Sequence, residues 1–250
     1  MSDYAEPIHR HLAALLAPEP GELMVDLGCG TGPTIAALAH SMPEARFVGV
    51  DRSETALRTA RRLLDEQDAS AAWVMADLRW PLPFRDGCVD SVVSYNTLEC
   101  VPEPAALLHD VARILRPGGR LLLAHVDFDS LTIAGADTAL DRRICHAYAD
   151  LAQPWMDVAN GRIGRQLPGL VSASPLELIA TEPHLNSSTE LSGHAERRVN
   201  EIARAVRPER EQDTITPADV VLWRSQTTES AVAGRFFFAE TTLITTAERR

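Results

Sequence analysis

Apolar residues recur at helical spacing near the start of the chain, at Ile8, Leu12, Leu15 and Leu16, and Pro18-Glu19-Pro20-Gly21 stops the run. A short apolar stretch at 23–27 then passes into glycines and on to a helical run from Pro33, a residue suited to a first helical turn. The same alternation continues with a strand at 46–50, a helix at 54–66, and strands at 72–75 and 89–94. A helix at 105–115 ends at Arg116-Pro117-Gly118-Gly119, and a fifth strand follows at 120–125. Strands that alternate with helices predict a parallel sheet covered on both faces.

Past Asp127 the rhythm changes. A polar, helical stretch runs to Gly169, and apolar-polar alternation returns at 176–181. A second excursion, 187–234, holds a charged helix around 196–206 and a helix start at Thr216-Pro217-Ala218-Asp219, with helix continuing to Gly234. A long strand at 236–246 closes the pattern. The Arg-rich run from Arg197 to Arg210 alternates with Glu and reads as a solvated, ion-paired face.

Composition narrows the chemistry. A hydrophobic fraction of 45% and a charged fraction of 24% over 250 residues fit a globular chain that builds one large domain. A net charge of -11 opposes a polyphosphate backbone, so nucleic acid is not expected as a partner. There is no Lys, which removes Schiff-base and lysine-base chemistry. Cys29, Cys88, Cys100 and Cys145 lie far apart without metal-ligand spacing, which fits reduced thiols in a cytoplasmic protein and predicts no metal. No basic leader and no run of membrane-spanning length is present, so neither export nor membrane insertion by the chain's own signals is expected.

The glycines after the first strand carry the chemistry. Gly28, Gly30 and Gly32 let the backbone come close to a ligand and offer amide groups at a helix start. Pro33 stands where the third glycine of a dinucleotide fingerprint belongs, and Asp26 precedes the first glycine. A carboxylate there suits a ligand that brings a cation, such as the sulfonium and ammonium of S-adenosylmethionine, over one that brings two phosphates. Asp51, just after the second strand, is placed to accept hydrogen bonds from two ribose hydroxyls in either class of ligand.

Asp26 to Gly32 resembles the first motif of class I S-adenosylmethionine-dependent methyltransferases, and further segments match in order. Val48 to Ser53, with Asp51 and Arg52, resembles the acidic second motif. Ala76-Asp77-Leu78 resembles the segment whose Asp receives the adenine amino group. Asp90-Ser91-Val92-Val93-Ser94 resembles the fourth strand, Leu98-Glu99-Cys100-Val101-Pro102 the stretch that commonly reads Leu-Glu-His-Val-Pro, and Arg113 to Gly119 the next helix-to-strand turn. The resemblance spans roughly the first half of the chain and is nearest to the ubiquinone/menaquinone-biosynthesis type of small-molecule methyltransferase. It implies a Rossmann-like, seven-stranded, mostly parallel sheet with helices on both faces and a reversed C-terminal hairpin. It also implies a cofactor site of Asp26, Gly28, Gly30, Asp51, Arg52, Asp77, Leu78 and Ser94, with Tyr4 on a leading helix folded over it. Cys100 stands where relatives often carry His, so no catalytic role carries over to it.

The expected organisation is a single methyltransferase domain with a cofactor-binding half at 1–127, a helical lid at 128–175 and a helical insertion at 187–234. His125 and Asp127 follow the fifth strand, at the edge where open α/β folds place ligands; His125 is the candidate general base and Asp127 a candidate acceptor contact. His146, Tyr148 and Trp155 in the lid are further acceptor candidates, each equally readable as packing. Arg162 and Arg165 suit a substrate carboxylate or an exposed helix start, and His9 and His11 read as surface histidines. The expected activity is methyl transfer to an O, N or C nucleophile of a small molecule by a monomer or homodimer. A non-catalytic S-adenosylmethionine-binding module and a nicotinamide-dependent oxidoreductase stand as alternatives.

Overall fold

A computed structural model describes residues 7–206 and 215–250. Eight strands and eight α-helices are described: α1 Pro7–Leu16, β1 Leu23–Leu27, α2 Pro33–Ser41, β2 Arg46–Asp51, α3 Glu54–Asp65, β3 Ala72–Met75, β4 Val89–Tyr95, α4 Pro104–Ile114, β5 Leu115–Val126, β6 Thr132–Ala134, α5 Thr138–Ala149, α6 Ile163–Ser172, β7 Leu176–Ser188, α7 Gly193–Ala205, α8 Pro217–Val232 and β8 Phe237–Arg249. The sheet order is β3-β2-β1-β4-β5-β8-β6, and β7 also pairs β8 to give the C-terminal antiparallel pair. The pairings of β1 with β2 and β4, of β2 with β3 and of β4 with β5 are parallel, as the alternation of strands and helices requires.

Local signals account for the helices. In α3 the Ser53 hydroxyl accepts the Ala56 amide at 3.2 Å, and Leu57, Ala60, Leu63 and Leu64 are buried at helical spacing. Thr216 and Asp219 complete a reciprocal capping box at the start of α8. At α5 the Asp137 carboxylate accepts the Ala139 and Leu140 amides.

The chain divides into two compact units. The first takes residues up to His125 with Gln166–Glu182 and Ile244–Arg250; the second takes Val126–Arg165 and Pro183–Leu243. In the first, Leu12 and Leu16 of α1, Met24 of β1, Ile35 and Leu38 of α2, Phe47 of β2 and Leu64 of α3 share a core with Leu122 and Ile244. In the second, the fully buried Trp223 donates its indole N–H to Asp141 Oδ1 at 2.8 Å, and Asp141 also accepts the Gly135 and Ala136 amides.

Three expectations change. The sheet has eight strands instead of seven, because β6 lies in the stretch read as wholly helical and pairs antiparallel with Phe237–Ala239 of β8. Three residues are too few to show alternation, and Thr132 and Ile133 are β-branched in an otherwise polar run. β7 extends to Ser188, seven residues past the expected end at 181, through a polar and exposed sequence that carries no hydrophobic period. His9 is buried against the ring of Tyr95, with Nδ1 3.0 Å from Thr34 Oγ1, although His11 is partly exposed and meets Glu182.

Candidate active site

The glycine turn leaves the end of β1 between two parallel neighbours: Asp26 is in register with Gly49 of β2 and with Val93 of β4. Gly28 has φ +72°, and a Cβ there would come within 2.3 Å of Thr97 Cγ2 and Oγ1, so the turn closes against Thr97 only with glycine. Thr97 Oγ1 reaches the Gly28 carbonyl at 3.3 Å and the Tyr95 carbonyl at 3.2 Å. Gly30, at φ +52°, has no atom within 4 Å of where its Cβ would stand, so the backbone on this side is open to a ligand.

Two carboxylates serve the turn in different ways. Asp51 is half-buried; Oδ2 accepts the Gly30 amide at 2.9 Å and Oδ1 the Ser53 amide at 2.8 Å. Asp26 is 2% exposed, and its Oδ2 has no hydrogen-bond partner among the described residues. Burial, and then the charge of Asp51, push the Asp26 carboxyl up to about 8. Burial and the same two acids push the Cys29 thiol up as well, which leaves it a neutral apolar group in this turn.

Further along the same strand ends, the Ser94 hydroxyl donates to the Leu27 carbonyl at 2.8 Å and ties β4 to β1. Asp77 is gripped by Arg79, whose Nη2 stands 2.6 Å from Oδ2 and whose Nε stands 3.1 Å from Oδ1. That side-chain bond holds the Asp77 carboxyl below the usual carboxylate range, and the charge of the exposed Arg52 adds to it. Leu78 and Arg79 line a groove of 540 Å³ with Trp80, Pro102 and Asp110. At the end of β5, His125 is 1% exposed, with Nε2 3.3 Å from Oε2 of Glu99, itself 5% exposed.

The remaining candidates lie in the second unit. Asp127 is 4% exposed; Oδ2 accepts Arg165 Nη2 at 2.8 Å and Nε at 3.0 Å, while Oδ1 has no partner among the described residues. Arg162 pairs with Asp129 at 3.2 Å and with Asp150 at 3.0 Å, so both arginines face acids of their own unit. His146 is exposed in a 420 Å³ groove lined by Asp129, Thr138 and Arg142, and Trp155 is 56% exposed. Tyr148 is buried and donates to Glu201. Glu201 also meets Arg198, which binds Glu240 at 2.9 Å and lies 5.1 Å over the Phe128 ring, and Glu240 is 2.6 Å from His194. Tyr4 lies outside the described residues.

The structure therefore brings Asp26, Gly28, Gly30, Asp51 and Ser94 to one turn, with Asp77 and Leu78 beside the next strand. Thr97 and Glu99 had no reading of their own in the sequence. Both fall within or beside the segment Leu98 to Pro102 that the resemblance picked out, but the pairing of Glu99 with His125 spans 26 positions and needs the fold to be seen.

A parallel sheet of this order, with a glycine turn and an acid at the end of its first strand, is a Rossmann-like fold with its candidate ligand site at that turn. Residues 25–123 match the family model described as Methyltransferase domain. A 37.1 kDa protein of transposon TN4556 from Streptomyces fradiae is 37% identical over 62% of this chain and 43% of its own length. Trans-aconitate 2-methyltransferase of Azoarcus sp. (strain BH72) is 39% identical over 46% of this chain and 43% of its own length. The chain thus spans less than half the length of these relatives. A solved structure from Bacillus halodurans C-125 superposes with a TM-score of 0.64 at 17% identity, covering 96% of this chain and 98% of that one, and so shares the fold.

Proposed function

We propose that the chain transfers a methyl group from S-adenosylmethionine to an O, N or C nucleophile of a small molecule. The observation that carries this reading is the buried Oδ2 of Asp26, without a partner among the described residues, behind the open backbone at Gly30: a carboxyl oxygen without a donor calls for a cationic ligand, which a pyrophosphate is not. Asp26 would hold the ammonium, Asp51 the ribose hydroxyls, Asp77 and Leu78 the adenine, and Gly28, Arg52 and Ser94 would shape the remaining contacts. When bound, the cofactor supplies an electrophilic methyl on sulfur for in-line displacement.

The chain's own residues then align the nucleophile and exclude water. In this reading His125 takes the proton from an alcohol or carbon acid, with the Glu99 carboxylate 3.3 Å from its ring. Asp127, at the end of the 1–127 half, and His146, Tyr148 and Trp155, on the part at 128–175 that serves as lid, are the acceptor-facing candidates; the insertion at 187–234 and a Tyr4 contact to the cofactor belong to the same proposal. The network that already holds the Tyr148 hydroxyl gives that residue the weakest claim. The net charge of -11 supports an acceptor other than nucleic acid, and a cytoplasmic monomer or homodimer completes the picture. No described helix is long and apolar enough to cross a membrane.

Calorimetric titration with S-adenosylhomocysteine and with NAD tests the cofactor: heat with the first and none with the second is expected, and the reverse overturns the reading. Incubation with methyl-labelled cofactor and pooled small metabolites tests catalysis. Labelled product is expected, and cofactor binding without product for any pool points to a binding module instead.

A further inference from the structure

Asp26 and Asp51 are coupled acids, and the donors around them are divided unequally. Both oxygens of Asp51 accept backbone amides, from Gly30 and Ser53. Oδ2 of Asp26 accepts from nothing among the described residues, although the residue is 2% exposed. Its register neighbours, Gly49 on β2 and Val93 on β4, do not titrate. The ionisable groups that bear on it are the Asp51 carboxylate and the Cys29 thiol of the turn, and neither offers a positive charge. A carboxyl in such a place is neutral until a cation arrives.

We infer that Asp26 keeps its proton in the ligand-free protein and releases it to solvent when the ammonium of S-adenosylmethionine docks, so that cofactor uptake is coupled to the loss of one proton. The inference rests on the cofactor reading above. In the exchange the Asp26 O–H bond breaks, the electron pair stays on the carboxylate, the proton passes to buffer, and an ammonium-carboxylate ion pair forms. No further reactant is needed. Burial and Asp51 push the Asp26 carboxyl up to about 8, so the coupling operates below that pH. Cofactor affinity should then rise about tenfold per pH unit between pH 6 and 7 and level off as pH passes 8.

The test is calorimetry of the whole chain with S-adenosylhomocysteine at pH 7 in buffers of different ionisation enthalpy. Release of about 0.9 proton per site is expected from a group titrating near 8. Adenosine, which lacks the ammonium, should bind without release. Heat with S-adenosylhomocysteine that does not depend on the buffer overturns the proton coupling and leaves the cofactor reading standing; absence of binding overturns both. Asp26→Asn should abolish the release. Should that variant fail to fold, difference infrared spectroscopy of the unaltered protein replaces it: loss of a protonated-carboxyl carbonyl band on ligand addition supports the inference, and no change in that band overturns it.

Discussion

Two buried acids, one in each unit, have met burial in opposite ways. Asp26 is 2% exposed and Glu240 3% exposed. Burial raises both, yet at Glu240 the bond from His194 and the charge of Arg198 outweigh it and hold the carboxyl below its usual range. At Asp26 the neighbouring charge is another acid, and the carboxyl rises to about 8. The Glu240 network, closed by Arg198, Glu201 and Tyr148, satisfies itself within the protein. Asp26 leaves an acceptor open. Burial alone therefore does not distinguish the two acids; the donors around each do.

The largest expected effect comes from breaking the closed network. Arg198→Met leaves Glu240, Glu201 and the Tyr148 hydroxyl without their common cation, and should destabilise the fold by about 3–5 kcal/mol. A fall in the urea midpoint at unchanged m-value checks this. Replacing Glu240 by Leu in the same protein should restore much of the loss, because removing a whole buried pair costs far less than removing half of it.

The matching change in the first unit should act on binding instead of folding. Asp26→Asn replaces a buried carboxyl that has no partner on Oδ2 among the described residues with a group that cannot ionise, so the fold should not be weakened at neutral pH. Affinity for S-adenosylhomocysteine should fall roughly 10- to 100-fold, the worth of a charged hydrogen bond of about 1.5–3 kcal/mol. A large loss of stability without loss of binding would erase the contrast between the two acids.

How legible this contrast is from sequence depends on what each acid needs. Asp26 stands beside Gly28, Gly30 and Gly32, and the turn's strand-to-helix setting is local, so its place at the turn could be read along the chain. The Glu240 network joins β8, α7 and α5, from Tyr148 to Glu240, across some ninety positions, and nothing in the spacing of those residues announces it. Arg198 therefore read as part of a solvated charged face, and the structure buries it at 8% exposure over the Phe128 ring. The parallel half of the sheet was legible for the same reason as Asp26: each strand carries its own apolar run. β6 and the outer part of β7 were not, since pairing with β8 makes them strands in spite of their composition.

The pH dependence of stability separates the two regions without any mutation. Asp26 has a folded value above its unfolded one near 3.8, so the folded chain binds the extra proton between about 4 and 8; its contribution is complete at acid pH and is lost as pH rises through that window. Glu240 has a folded value below 4.5, so its contribution is present above that pH and is lost as pH falls through the lowered folded value. The slope from either group cannot exceed about 1.4 kcal/mol per pH unit. Denaturant midpoints measured from about pH 2 to 9 should therefore fall toward alkali in the parent and flatten there in Asp26→Asn, while a Glu240→Gln variant loses the acid-side fall only.

Asp127 combines features of both acids and gives the smallest expected effect on stability. One of its oxygens is held by Arg165 and the other has no partner among the described residues, so it is half a closed network and half an open site. Its partner guanidinium is 46% exposed, so solvent screens the pair and limits what it contributes to the fold. Asp127→Asn keeps an oxygen for Arg165 to bind, and the change in stability should stay below about 1 kcal/mol. The open Oδ1 predicts where the effect goes instead: once an acceptor is in hand, the variant should raise KM for the acceptor and leave S-adenosylhomocysteine affinity unchanged. If stability drops by as much as in Arg198→Met and KM does not move, Asp127 belongs with Glu240 as a fold-holding acid, and an unpartnered oxygen on a buried carboxylate ceases to be a sufficient sign of a ligand.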